Sequence, residues 1–438
     1  MFGLLKKQIN VLELFAGVGG FRIGLENSNP EKYITKWANQ WEPSRKSQDA
    51  FEVYHYHYPD SENINEDIEE IPDEVFAEMD ADLIVGGFPC QDYSVARSTK
   101  GELGIQGKKG VLFWQIIRAT EIIRPKYLIL ENVDRLLNSP TSQRGRDFAV
   151  MLAAFNQLGY SVEWRVINAA EYGRAQRRRR VFIYVYRNDL PWAQALDEAY
   201  EQDTQKNQSS KEKVLPNRYE EYIFKEGLFA RQFPIKEKPV KNRHAYGKLS
   251  EDIVDVSDNY SAGKMWNTGV MRHGTYYTYD TAAVKEEPII LRDIVQDESK
   301  MDSKYYLTKE QVEKFEYMRG AKKIERTSAN GHKYIYSEGS MSPHDDLDLP
   351  GRTMLTSEGS TNRSTHLLYI NEQYRFLTPV EAERLQDFPD DWTKLKKTAN
   401  GEIAEVTDRM RLFFMGNALV TGIVKRIADE LERIDKNI

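Results

Sequence analysis

Val11-Leu-Glu-Leu-Phe15-Ala-Gly17-Val-Gly19-Gly-Phe21 is a short apolar run that breaks into glycines and then takes up helical spacing through Asn27. It reads as a strand, a tight turn and the start of a helix. Glycine there lets the backbone turn sharply and come close to a ligand. The same unit repeats downstream. Residues 82–86 and 127–131 are short, apolar and ended by turn or polar residues, as buried strands are. Between them, 111–124 carries apolar residues at helical spacing and Pro125 stops it. Residues 35–39 read as a second strand, and 161–168 and 180–187 alternate like later ones. Strand–helix–strand repetition predicts an α/β fold with a mostly parallel sheet covered on both faces.

The pattern changes near Asn188. Residues 197–213 are polar and charged, as in a linker or surface loop. From there to about 370 the chain is rich in Tyr, Gly, Lys and Ser, which predicts a second, irregular domain. Order returns after Tyr374, with helices expected at 378–385 and 417–434. The 438 residues exceed one typical hydrophobic core, so two domains are expected: 1–188 completed by 372–438, and 189–371. With 40% hydrophobic and 11% aromatic residues the composition is that of a globular protein. No apolar run approaches the roughly 18 residues of a membrane helix. Lys6 and Lys7 precede no apolar stretch, so no secretory signal is expected. Cys90 is the single cysteine. It forbids an intramolecular disulfide and predicts a reducing, cytoplasmic setting. A net charge of −7 argues weakly against a nucleic-acid partner, but the charge is uneven. Residues 47–96 hold fourteen Asp or Glu and no Lys or Arg, whereas 165–187 hold seven Arg against Glu171. A basic face can coexist with an acidic body.

Each motif has a plain reading beside a chemical one. The glycine cluster fits an ordinary tight turn as well as a nucleotide-type site. It departs from the dinucleotide fingerprint because Arg22 stands where a third glycine belongs. Trp41 follows the second strand, where a ring can stack on adenine, although most tryptophans are packing residues. Asp67-Ile68 could meet an adenine amino group, and Asp67 serves equally as a helix cap. Cys90 lies in Gly86-Gly-Phe-Pro-Cys-Gln91 at a strand end. A lone cysteine is usually an inert small residue, but a shaped loop at a sheet edge is where an exposed nucleophile is placed. Glu131-Asn132 ends the next strand and should reach the same edge, as a solvated strand end or a general acid. Gln176-Arg-Arg-Arg-Arg180 runs straight into a strand. Alternation puts Arg178 and Arg180 on one face and Arg177 and Arg179 on the other, so one pair can enter a site while the other meets solvent or phosphate.

Together these blocks resemble the DNA cytosine-C5 methyltransferases. The Phe-Ala-Gly-Val-Gly-Gly turn, Pro-Cys-Gln, Glu-Asn-Val and Gln-Arg-Arg-Arg-Arg come in that family's order. So do Arg375-Phe-Leu-Thr-Pro379, Arg384-Leu-Gln-Asp-Phe-Pro389 and Met415-Gly-Asn-Ala418. The resemblance covers about 1–188 and 372–438. It implies a Rossmann-like domain that binds S-adenosyl-L-methionine, and a smaller target-recognition domain at 189–371. The implied reaction is methylation of carbon 5 of a cytosine flipped out of double-stranded DNA. Cys90 would add to carbon 6, Glu131 would hydrogen-bond N3 and the exocyclic amine, and Arg178 and Arg180 would face O2. The cofactor wall would comprise Phe15, Gly17, Gly19, Gln40, Trp41, Asp67, Ile68, Pro89, Leu112 and Asn417. A glutamate commonly precedes the tryptophan. Here it is Gln40, and Glu42 follows, which leaves the ribose ligand open between the two. Base readers in the insert are candidates only by type: Lys264, Asn267, Arg272, Arg352, Asn362 and Arg363. The resemblance further implies a modification enzyme of bacterial or phage style, monomeric on DNA, with a restriction endonuclease acting on the same site. A tRNA-methylating relative shares the fold and the cysteine but has no use for so large an insert. An inactive DNA-binding homologue would be expected to lose Cys90, Glu131 or the arginines. A dehydrogenase fits least, given Arg22.

Overall fold

The computed structural model describes residues 8–43, 45–88, 112–208, 217–236, 243–328 and 330–436. Seven strands come first: β1 (Ile9–Leu14), β2 (Tyr33–Asn39), β3 (Glu62–Ile64), β4 (Leu83–Gly87), β5 (Tyr127–Val133), β6 (Tyr160–Asn168) and β7 (Arg179–Arg187). Three more follow from the middle of the chain: β8 (His244–Lys248), β9 (Thr268–Arg272) and β10 (Thr275–Tyr279). They form one sheet in the order β3-β2-β1-β4-β5-β7-β6-β9-β10-β8.

The parallel half has the expected logic. β1 aligns Val11 with Leu83 of β4, and β4 aligns Leu83 with Tyr127 of β5. Ile9, Val11, Val85 and Ile129 pack into one apolar layer and Leu12, Leu14, Ile84 and Leu128 into the other. Burial on both faces is why these strands read as continuous apolar runs. Helices Leu112–Ile123 and Arg146–Gln157 cover one face through Phe113, Ile116, Phe148 and Phe155. Helices Gly20–Ser28 and Thr421–Asp435 cover the other, through Phe21, Leu25, Ile423 and Ile427.

The sheet is mixed, not mostly parallel as expected. β7 runs antiparallel to β5 and to β6, and β9, β10 and β8 continue antiparallel. Only ten residues separate β6 from β7, too few for the helical crossover that parallel neighbours need. The antiparallel turn has a consequence for chemistry. β7 begins where β5 ends, with Val133 opposite Arg180.

The stretch 189–371 also parts in two. Its first half extends the sheet, because β9 pairs with β6, and the remainder from Leu291 onward packs against residues 375–415. Residues 197–208, expected in a loop, belong to helix Pro191–Gln208. Proline suits a first helical position, Trp192 packs 4.6 Å from Tyr186, and Asp197 pairs with buried Arg272. The helix expected at 417–434 forms at Thr421–Asp435, and a further helix, Asp408–Asn417, precedes it. The joint is held from outside: Gln386 donates to the Met415 carbonyl, and Thr421 donates to the Gln386 and Asp387 carbonyls. Among the described residues, no helix is long and apolar enough to cross a membrane.

Candidate active site

A cavity of about 670 Å³ opens at the edge where β1, β4 and β5 end, the edge at which α/β sheets bind ligands. One wall is the glycine turn. Phe15 takes a left-handed φ of 54°, an uncommon cost at a non-glycine residue that marks functional turns. Gly17 and Gly19 follow at φ 55° and 93°. The Gly17 N–H donates to Gln40 Oε1 at 2.7 Å, which ties the turn to the end of β2. Trp41 stays 38% exposed at the rim. Beneath the turn, buried Glu13 accepts from the Tyr54 hydroxyl at 2.9 Å, and burial pushes its carboxyl up to about 7. Arg22 faces away from the cavity. It bonds Glu26 at 2.8 Å and stacks 3.6 Å over Tyr58.

The opposite wall carries the charges. Arg180 Nε lies 2.7 Å from Glu131 Oε1. Burial holds the Glu131 carboxyl above the usual carboxylate range, while Arg180 and then Arg178 pull it back. The alternation expected of the arginine run is present: Arg178 and Arg180 line the cavity, and Arg177 and Arg179 are exposed. Only Arg180 meets Glu131. Fully buried Arg178 donates to the carbonyls of Met354 at 3.1 Å and Gly416 at 2.9 Å. Its burial, then Arg180, lowers its proton affinity. It thereby clips two distant segments together. A side chain at Gly416 would meet the Leu355–Thr356 backbone at 2.5 Å, so only glycine allows the approach. Asn132 Nδ2 donates to the Phe88 carbonyl at 2.9 Å, which fixes the strand end that precedes Pro89.

The cavity therefore brings together Phe15, Gly17, Gln40, Trp41, Leu112, Glu131, Arg178, Arg180 and Asn417. Gly19, Asp67 and Ile68 are not in its lining. The Asp67 carboxylate caps its own turn by accepting from the Glu69 N–H, and Ile68 is buried in the core. Pro89 and Cys90 lie outside the described residues. Sequence reasoning missed Arg45 and Phe413, which stack 4.3 Å apart on the cavity wall; nothing in their spacing signals the pair. Glu42 is also on the wall. Burial raises its carboxyl, and its Oε2, with no hydrogen-bond partner, lies 3.5 Å from Arg45 Nε.

Three base-reading candidates point inward. Arg272 is buried against Asp197 and Tyr186, Asn267 is bonded to Thr281, and Arg352 is clamped to Asp345. Lys264 lies 4.2 Å over Trp266, Asn362 bonds the Ser357 carbonyl, and Arg363 pairs with Glu338.

Residues 9–290 and 278–433 match the family model of the C-5 cytosine-specific DNA methylases. The chain is 53% identical over 428 residues to the Type II methyltransferase M.Sau3AI of Staphylococcus aureus, covering 98% of this chain and 96% of that protein. It is 31% identical over 182 residues to the Type II methyltransferase M.HhaI of Haemophilus parahaemolyticus, covering 42% of this chain and 50% of the relative. Among solved structures, the Dnmt2 methyltransferase of S. pombe superposes with a TM-score of 0.56 at 14% identity. That match covers 99% of this chain and all of the other, and it is a likeness of fold.

Proposed function

Since the chain belongs to the C-5 cytosine-specific DNA methylases, we propose how its cavity serves that activity. The enzyme methylates carbon 5 of cytosine at a specific DNA site, as a modification methylase. S-adenosyl-L-methionine is the methyl donor we assign to the glycine-turn wall. The exposed Trp41 ring offers a stacking platform for adenine. Gln40 keeps an amide group beside the turn for the ribose, and Phe15, Leu112 and Asn417 close the space around it. The wall suits a pyrophosphate less well, because Arg22 is spent on Glu26 and Tyr58. When bound, the cofactor supplies an electrophilic methyl group carried on a positive sulfonium.

The flipped cytosine occupies the Glu131–Arg180 side. Raised by burial, the Glu131 carboxyl can share a proton with ring N3 and accept from the exocyclic amine. Arg180 turns its guanidinium to O2, and Arg178 holds the wall behind it. Cys90 is the nucleophile in this reading. Its thiolate bonds to carbon 6 while the carbon 5–carbon 6 π pair shifts onto carbon 5, spread into the carbon 4–N3 unit held by Glu131. Carbon 5 would then take the methyl group as its bond to the sulfonium breaks and a neutral thioether leaves. Loss of the carbon 5 proton to solvent would restore the double bond and expel the Cys90 thiolate. Residues 1–188 and 372–438 form the catalytic unit in this assignment, and target reading lies within 189–371. A restriction endonuclease of the same specificity is the expected companion, with a single copy of this chain acting on DNA.

The observation that carries this reading is the Glu131–Arg180 pair facing one cavity with the Gly17–Gln40 turn and Trp41. A duplex with 5-fluorocytosine at the target should trap wild-type protein in a denaturation-resistant adduct, because fluorine cannot leave as a proton. Cys90→Ala should form none, and Glu131→Gln should form it 10²–10³-fold more slowly, about the cost of removing one such stabilising group. An active wild-type enzyme that forms no adduct would refute addition at carbon 6.

A further inference from the structure

Two strands outside the main sheet, β11 (Lys322–Thr327) and β12 (Lys333–Glu338), form a ribbon that stands off the body. Nine of its twelve residues are exposed, so both faces are open. Ile335 is 70% exposed and Tyr334 42%. An isolated two-stranded ribbon is marginal in water, and aliphatic and aromatic groups gathered on an uncovered surface mark a contact site.

Charge names the partner. The ribbon carries Lys322, Lys323, Arg326 and Lys333 against Glu325 and Glu338, in a chain whose net charge is −7. Glu325 is occupied by Lys333, and Glu338 by Arg363. Lys323 and Arg326 have no ion-pair partner among the described residues, and Arg326 lies 3.9 Å over the Tyr336 ring. The register sets Arg326 opposite Tyr334 and Ile324 opposite Tyr336, so these four share one face.

The ribbon is also rooted beside the catalytic strand. Arg363 donates to the Gly339 carbonyl at its base. Arg319, at the end of the helix that leads into β11, closes with Arg352 on Asp345. The residue before Arg352, Gly351, accepts the Arg177 N–H at 2.8 Å and bridges Gln176. A short series of contacts thus leads from the ribbon to the strand that carries Arg178 and Arg180.

We propose that the β11–β12 ribbon lies in the major groove of the target duplex and reads its bases. That groove, roughly 12 Å wide, admits a two-stranded ribbon, and six residues of strand span about 20 Å along it. Arg326 supplies a fork that suits guanine, and Tyr334 and Ile324, exposed on the same face, supply apolar contact for thymine methyls. The proposal rests on the chain being a site-specific methylase and narrows the reading from 189–371 to one ribbon.

The test compares wild type with Arg326→Ala, Tyr334→Ala and Lys323→Ala, after the target has been read by bisulfite sequencing of methylated DNA. Fluorescence anisotropy gives the affinity for a target duplex and for a scrambled one. Melting temperature and calorimetric binding of S-adenosylmethionine serve as controls. Arg326→Ala and Tyr334→Ala should weaken target binding about tenfold or more, with much less change on the scrambled duplex and both controls unmoved. Lys323→Ala should weaken both duplexes alike and flatten the salt dependence. Wild-type discrimination retained by Arg326→Ala and Tyr334→Ala overturns the ribbon as reader. So does loss of a dimer in sedimentation with duplex affinity intact, which would make the ribbon a contact between copies. A wild-type protein without target preference removes the functional reading itself, and the ribbon's role with it.

Discussion

The cavity and residues 291–371 are held together by different forces. The cavity sits on a sheet clamped between two apolar layers, with Leu14, Val85, Leu130 and Phe21 buried around it. Residues 291–371 have fewer such contacts and rely on charge. Arg319 and Arg352 close on Asp345, and Arg375 reaches Glu298 at 2.6 Å and Glu381 at 2.7 Å. Buried Glu358 accepts from the His366 backbone and ring. Apolar packing is non-directional and tolerates exchange at constant volume. A buried charge cluster fixes geometry, and removing one member strands the others without water. The segment that carries the β11–β12 ribbon is built from the directional kind.

That contrast breaks most sharply at Asp345. Burial pushes its carboxyl up, but the Arg352 hydrogen bond, the nearby His366 and Arg352 charges and the Leu367 N–H together hold it far below the usual range. Asp345→Asn leaves Arg319 and Arg352 facing each other. It should cost about 3–5 kcal/mol in denaturant titration, while calorimetry still finds S-adenosylmethionine binding in the folded fraction. A cost below about 1 kcal/mol would show that packing, not charge, holds this region.

Glu13 sharpens the comparison from the other side, as a buried carboxyl under the glycine turn that accepts from the Tyr54 hydroxyl. Its folded pKa, about 7, lies above its unfolded value, so the fold favours the protonated form. The stability this brings is full below about pH 4.5 and lost as pH rises through 7. Wild type should therefore lose up to about 3 kcal/mol relative to Glu13→Gln between pH 5 and pH 8. Parallel stability curves for the two proteins would mean that Glu13 is ionised in the fold.

The smallest effect is expected at Gln40. Its Oε1 already takes the Gly17 N–H. Gln40→Glu could keep that bond with one oxygen and offer the other to the ribose, tightening S-adenosylmethionine by about 1 kcal/mol. Glu42→Gln should matter less, because Glu42 faces Arg45. Titration of the three proteins decides it. If Glu42→Gln loses most affinity and Gln40→Glu gains none, the ribose ligand is Glu42.

The same contrast explains what could be read from the sequence. Strands expected at 82–86 and 127–131 form at Leu83–Gly87 and Tyr127–Val133, because burial on both faces writes itself as an apolar run. Glu131 could be placed at the ligand-binding edge from its strand end alone, but Arg180 begins its strand and reaches that edge only because β7 runs antiparallel to β5, where alternation said no more than that it shares a face with Arg178. The role of Arg178 could not be read, since the carbonyls it holds are 176 and 238 residues away. β9 and β10 escaped notice because Thr-Gly-Val-Met-Arg and Thr-Tyr-Tyr-Thr-Tyr lack an aliphatic run, although nearly every residue in them is buried. Their burial depends on β6, a partner about a hundred positions earlier. Charge-held segments such as 319–352 have no periodicity to read.

The cavity wall that ends in Asn417 leads into helix Thr421–Asp435, which docks on the first helix and the start of β2, with Ser28 bonded to Asp429, Lys32 to Asp435 and Tyr33 to the Ala428 carbonyl. During translation this wall leaves the ribosome after every other part of the site. A nascent chain can fold its parallel strands early, yet the cavity has no finished wall until synthesis has passed residue 419. Closing so long a loop is slow compared with forming local helices, so newly made enzyme should gain activity with a lag. For a cell that also makes a nuclease of the same specificity, that lag is a vulnerable interval, and its length is set by the path of the chain through the fold.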